Sequence, residues 1–207
     1  MLARSFRFSQ TADLSAVGVH TLEYYVASSN DYACNDTLFS VLTTTQVVNS
    51  FPYIEDFEAG DGSWISAGTN SSWSYGVPAG SVINSSAECG TNAWVTSLTG
   101  AYNNSENSQL ESPTFDFSSF TNDPIIMFDH NFETESCCDE GWMEVSTDGG
   151  ATWTKLGNST TGISNWYNDS GNDWWDGTSS GWRSASHALT GLAGESNAKI
   201  RFVFSSD

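Results

Sequence analysis

Positive charge is scarce in this chain. Its 207 residues hold six Lys and Arg against 25 Asp and Glu, a formal net charge of −19. Such a surface repels a phosphate backbone and anionic lipid, which speaks against nucleic-acid binding and membrane insertion. Long apolar runs are missing as well, so no segment is a candidate bilayer span. The opening MLARSFRFSQ has arginines but no apolar stretch behind them, and is not a signal peptide. No sustained 3.6-residue apolar period occurs, so no amphipathic helix is expected. HExxH and GxSxG are both absent, which removes a zincin-type peptidase site and a hydrolase nucleophile elbow. Histidine is limited to His20, His130 and His187, far apart in sequence. The four cysteines, Cys34, Cys89, Cys137 and Cys138, form no CxxC pair, so no zinc site is expected. A Ser/His/Asp triad meets only in space, and in so acidic a chain any chosen pair of carboxylates is uninformative. The reading is therefore not an enzyme.

What the chain does hold is enough apolar matter for a core, 38% with 14% aromatic, which excludes disorder. Apolar residues alternate with polar ones, the period of a half-buried strand. In 20–28, Leu22, Tyr24 and Val26 share a face; in 36–44, Leu38, Ser40 and Leu42 oppose Phe39 and Val41. These two segments form a hairpin-like pair, too small to stand alone. After a short link a second unit opens at Phe51. Its strands are expected at 52–58, 72–76, 92–98, 108–111, 124–133, 141–147, 152–157, 182–189 and 198–205. Short strands separated by Gly, Asn, Asp and Ser turns mean a β-sandwich. The even cysteine count fits two disulfides with three possible connectivities, one of them a vicinal Cys137–Cys138 bridge, with free buried thiols as the alternative.

Four segments carry candidate chemistry. Ser146-Thr-Asp-Gly-Gly-Ala-Thr-Trp153 fits the Asp-box pattern S-x-D-x-G-x-T-W, a hairpin in which Asp148 accepts turn amides and Trp153 plugs the turn. Sialidase propellers repeat this box; one copy and few arginines favour a structural hairpin. In Phe51-Pro-Tyr-Ile-Glu-Asp-Phe-Glu58, a strand would put Asp56 and Glu58 on one face, where backbone carbonyls could join them around calcium; solvated edge charge is the plain alternative. The segment 165–182 mixes Trp166, Tyr167, Trp174 and Trp175 with Asn and Asp, the makings of a sugar-binding platform or simply of a loop packed on the sandwich. Of the adjacent Trp174 and Trp175 only one can point inward on an extended chain. The acidic, cysteine-bearing run 133–140 reads as a solvated loop pinned by a disulfide, with cation binding by its carboxylates as the alternative.

FPYIEDFEAGDGSW, TNAWVTSLTGAYNNSENSQLESPTFDFSS, GWMEVSTDGGATWTKLG, NWYND and KIRFVFSSD, in that order, resemble the MAM-like and cleaved-adhesin-like jelly-roll modules of secreted Bacteroidota surface proteins. The resemblance covers residues 51–207; residues 1–48 resemble the C-terminal part of an Ig-like cell-adhesion-related domain. It implies an antiparallel jelly-roll sandwich lacking its last strand, an extracellular, cell-surface location, and calcium held by Glu58 with Asp207. It further implies a non-catalytic adhesion module for a glycan or cell-surface protein, next to further domains or chains. A spacer in a surface fibre, or an accessory domain of a secreted peptidase or glycosidase, is the alternative. Strand exchange with a neighbouring chain is a sharper one.

Overall fold

The computed structural model describes residues 12–14, 17–25, 37–87 and 90–207, which divide into two units at Gln46/Val47. Among them every regular element is a strand, as the alternating pattern requires.

The first unit is a two-stranded antiparallel ribbon. Strand β1 (Gly18–Tyr25) pairs with β2 (Thr37–Thr44) in unbroken register from Gly18↔Thr44 to Tyr25↔Thr37. Val19, Leu38, Phe39 and Val41 remain exposed, because a ribbon has no second layer of its own to cover them. Val26 and Cys34 lie outside the described residues.

The second unit begins with β3 (Val47–Val48), β4 (Ile65–Thr69), β5 (Trp73–Gly76), β6 (Ala93–Thr96), β7 (Asn107–Glu111) and β8 (Thr114–Phe115). It continues with β9 (Ile125–His130), β10 (Glu140–Ser146), β11 (Thr154–Lys155), β12 (Arg183–Ala188) and β13 (Lys199–Ser205). One layer is a five-stranded antiparallel sheet in the order β11-β10-β13-β7-β4. Facing it are two separate antiparallel pairs, β12-β9 and β5-β6. A short parallel pair, β3-β8, ties Val47 and Val48 to the second unit. Phe202 of β13 meets Phe128 of β9 at 4.9 Å, edge to face, and so joins the layers. Met143, Leu110, Leu156, Ile200 and Leu192 fill the space between them.

The central strand β13 shows how sequence sets the faces. Lys199 and Arg201 fall on the side away from the core, where Arg201 makes a short ion pair with Glu144 at 2.6 Å and a longer one with Glu111 at 3.8 Å. Its guanidinium also stacks 4.2 Å from the Trp153 ring centre. Cation, carboxylates and indole together shield the outer face of a strand flanked on both sides.

One expected strand fails and one unexpected strand forms. Residues 52–58 form no strand, because Phe57 sits at φ 60° and the acidic side chains fold back on their own backbone. Glu55 Oε1 accepts from Phe57 N at 2.8 Å, and Asp56 Oδ1 accepts from Glu58 N at 3.0 Å. Such Asx-type bonds make turns rather than ladders. Conversely β4, rich in Ser, Gly and Thr, becomes an edge strand because β7 offers its free side; its sequence carries little apolar alternation to announce it.

Candidate functional site

The second unit holds a cavity of about 1320 Å³ between the two pairs of the broken layer. Residues 92–97, around β6, and 124–134, around β9, line it without a gap. A strand that turned only a face to a cavity would contribute every second residue. Unbroken runs mean that the cavity lies along the strand edges. Strand β9 is paired on one side by β12 and β6 on one side by β5, and no other strand pairs with either among the described residues. The floor is apolar, with Phe128, Phe202, Val95 and Phe204. On β9 the alternation leaves Ile125 and Met127 outward, 61% and 74% exposed, while Ile126 and Phe128 turn toward the core. The rim is acidic: Glu55, Asp56, Glu58, Asp129 and Glu133 line the cavity, and no Lys or Arg does. This groove is the candidate site. Its sequence signal was slight, since neither strand looks unusual until its missing neighbour is seen.

The aromatic residues of 165–182 are placed differently from a sugar platform. Trp166, Tyr167 and Trp175 are 6%, 4% and 6% exposed and belong to the core. The Tyr167 hydroxyl takes the Met143 N–H at 3.1 Å and donates to the Leu156 carbonyl at 3.0 Å. Trp175 exchanges both backbone bonds with Gly141, at 2.8 and 2.9 Å, which seals the loop to the start of β10. Trp174 is half-buried, with the Lys155 ammonium 5.6 Å from its ring. The intervening acids serve the loop. Asp169 accepts from Gly171 N at 2.6 Å and Asp173 from Ser159 N at 2.8 Å. The carboxyl pKa of each is held below the usual range, that of Asp169 chiefly by the Asn172 side chain and that of Asp173 by the Ser159 amide. The loop thus packs as a structural cover, and the three buried rings present no face to a sugar.

The proposed calcium ligands do not converge. Glu58 Oε1 accepts from Thr91 N at 2.7 Å and Asn92 N at 2.8 Å, and Oε2 faces the Asn92 amide at 3.3 Å. Those amides hold its carboxyl below the usual pKa. Asp207 lies with a different group, its N–H toward Asp139 at 3.2 Å and its carbonyl toward Ser105 N at 2.9 Å. Asp56, Glu58 and Asp207 therefore do not form one site; the close acid and cysteine group among the described residues is Glu135, Cys137 and Cys138. In that group the two sulfurs are bonded to each other, which leaves no thiolate. Cys89 lies outside the described residues. Calcium asks for six to eight converging oxygens, and amide donors already occupy Glu58. Glu58→Gln is accordingly expected to leave any calcium-dependent shift of the melting temperature unchanged, as scanning calorimetry with millimolar calcium or EDTA would measure; a shift present in the native chain and lost in the variant would overturn this, since a native-state ligand must stabilise.

The Asp-box hairpin is built as its residues require. Asp148 accepts from Thr152 N at 2.9 Å, Thr152 Oγ1 at 2.6 Å and Ser146 Oγ at 2.7 Å. Those bonds lower its pKa to about 2. Gly149 and Gly150 supply φ 73° and 96°. Trp153 is half-buried under Arg201.

Each histidine also has a structural setting. His20 pairs with Thr44 Oγ1 at 3.0 Å. His187 Nδ1 donates to the Ala188 carbonyl and Nε2 pairs with Thr161 Oγ1 at 2.9 Å. His130 is enclosed by the rings of Phe128, Phe132 and Trp175 at 5.0–5.5 Å. Burial, reinforced by Arg183, pushes its pKa down to about 4.

No family model matches the chain. A stretch of 114 residues, 55% of the chain, is 32% identical to part of Bacillopeptidase F of Bacillus subtilis (strain 168). The match spans 8% of that protein's length. No helix among the described residues is long and apolar enough to cross a membrane.

Proposed function

We propose that this chain is a non-catalytic accessory module of a secreted, multidomain protein that also carries a peptidase, and that it holds a polypeptide partner or substrate. The observation that carries this reading is the match to 8% of a protein named as a peptidase, a length that suits one module of a larger enzyme. The histidine settings support it, since each ring is engaged by packing or by a structural hydrogen bond. The Lys-poor, Ser-, Thr-, Asn- and Gly-rich composition supports secretion. The acidic-rimmed apolar groove supports a polypeptide as partner over a glycan, three of whose four expected platform residues are core residues here. The MAM-like resemblance is compatible with the same role.

The test is to incubate the purified chain with unfolded casein at neutral pH. Saturable binding without cleavage is the expected result. Peptide-bond hydrolysis that co-purifies with the chain and is lost on replacement of His130 or His187 would make it an enzyme instead.

A further inference from the structure

We propose that the groove between β6 and β9 receives an extended strand donated by a separate partner polypeptide, apolar at alternate positions and carrying Lys or Arg near its ends. The inference rests on the binding-module reading above and names the class of partner.

Three observations carry it. First, β6 and β9 each offer a free edge to the same cavity. A free edge is a row of unpaired N–H and C=O groups, and the group that satisfies such a row is another strand. Two edges facing one groove would pair an inserted strand on both sides, joining β5-β6 and β9-β12 into a single sheet. Second, the floor is built from Phe128, Phe202, Val95 and Phe204, so every second residue of the incoming strand meets apolar surface. Third, the rim holds Glu55, Asp56, Glu58, Asp129 and Glu133 with no Lys or Arg. An incoming strand with acidic flanks would be repelled, and one with basic flanks steered in. This chain, at −19, is itself poorly suited to supply that charge, which favours a separate polypeptide over a second copy.

The experiment uses the whole 207-residue chain and synthetic peptides of about eight residues. The lead peptide has valine or isoleucine at alternate positions and lysine at both ends. One control carries a central proline, which removes a ladder N–H; another carries terminal glutamates. The lead peptide is expected to quench tryptophan fluorescence saturably and to slow amide exchange along 93–96 and 125–130. The proline control should bind at least about tenfold more weakly, a loss of one to two backbone hydrogen bonds. The glutamate control should also bind more weakly, and raised salt should narrow that difference. Equal binding of the proline peptide, or exchange protection elsewhere, overturns the proposal. So does concentration-dependent self-association that protects these same amides, because the strand would then come from a second copy. Casein binding without protection at β6 and β9 would sink the groove assignment and leave the accessory-module reading standing. Loss of casein binding together with peptide binding would sink both.

Discussion

Replacing Glu106 by alanine is expected to lower the unfolding free energy by about 3 kcal/mol or more, read from urea denaturation at pH 7. Glu106 is 1% exposed and has no Lys or Arg partner among the described residues. A buried carboxylate without a cation must be held by donors. Here Oε1 takes Ser72 N at 2.8 Å and the Ser108 hydroxyl, while Oε2 takes the Ser72 hydroxyl at 2.6 Å and Asn103 N at 3.2 Å. Its own backbone bonds Ser206 through both N–H and C=O. One side chain thus pins the 70–72 turn and the 97–106 connection to the start of β7. Alanine leaves those donors buried and unpaired, whereas glutamine, which keeps one acceptor oxygen, should lose less. A cost under about 1 kcal/mol for Glu106→Ala would show that water reaches the site and that the carboxylate is dispensable.

Acidification is expected to weaken the fold through His130, by about 3 kcal/mol once the pH reaches 4. The ring sits among Phe128, Phe132 and Trp175, which disfavours the imidazolium; Arg183 adds to this and Asp129 opposes it. Its folded pKa of about 4 lies below the ordinary 6.5, so between those values the unfolded chain binds the extra proton. Stability from this group is complete above pH 6.5 and declines as pH falls through that window. Depressed carboxylates such as Asp148 act in the same direction only below their ordinary range near 4. Glu140, whose pKa burial raises, works against the trend. The comparison that isolates His130 is therefore urea midpoints at pH 7 and 5 for the native chain and for His130→Phe. The variant should lose most of the slope. An unchanged slope would assign the acid sensitivity to other groups.

The groove between β6 and β9 was unevenly legible in the sequence. The alternation in 124–133 announced β9 and its apolar face before any fold was known. The register of β13, with Lys199 and Arg201 outward, followed from period-two patterning alone. The Asp-box turn was written in eight residues, because the side-chain bonds of Ser146 and Asp148 that close it span four positions or fewer. By contrast the sugar platform expected of Trp166, Tyr167, Trp174 and Trp175 rested on composition, and composition does not tell an exposed ring from a core ring. The calcium set failed for a related reason. Asp56 and Glu58 share a face only if the chain is extended, and Phe57 at φ 60° breaks that premise.

The sequence by itself determined the all-β class, the alternating strands, the acid excess and the local hairpins, since each depends on neighbours within a few residues. The tertiary structure alone decided which strands keep an unpaired edge, which aromatics enter the core, and where the carboxylates gather. Those outcomes depend on contacts between segments separated by tens of residues, such as β4 with β7 or Asp139 with Asp207. A linear pattern specifies which side of a strand is apolar; it does not specify which strand lies beside it.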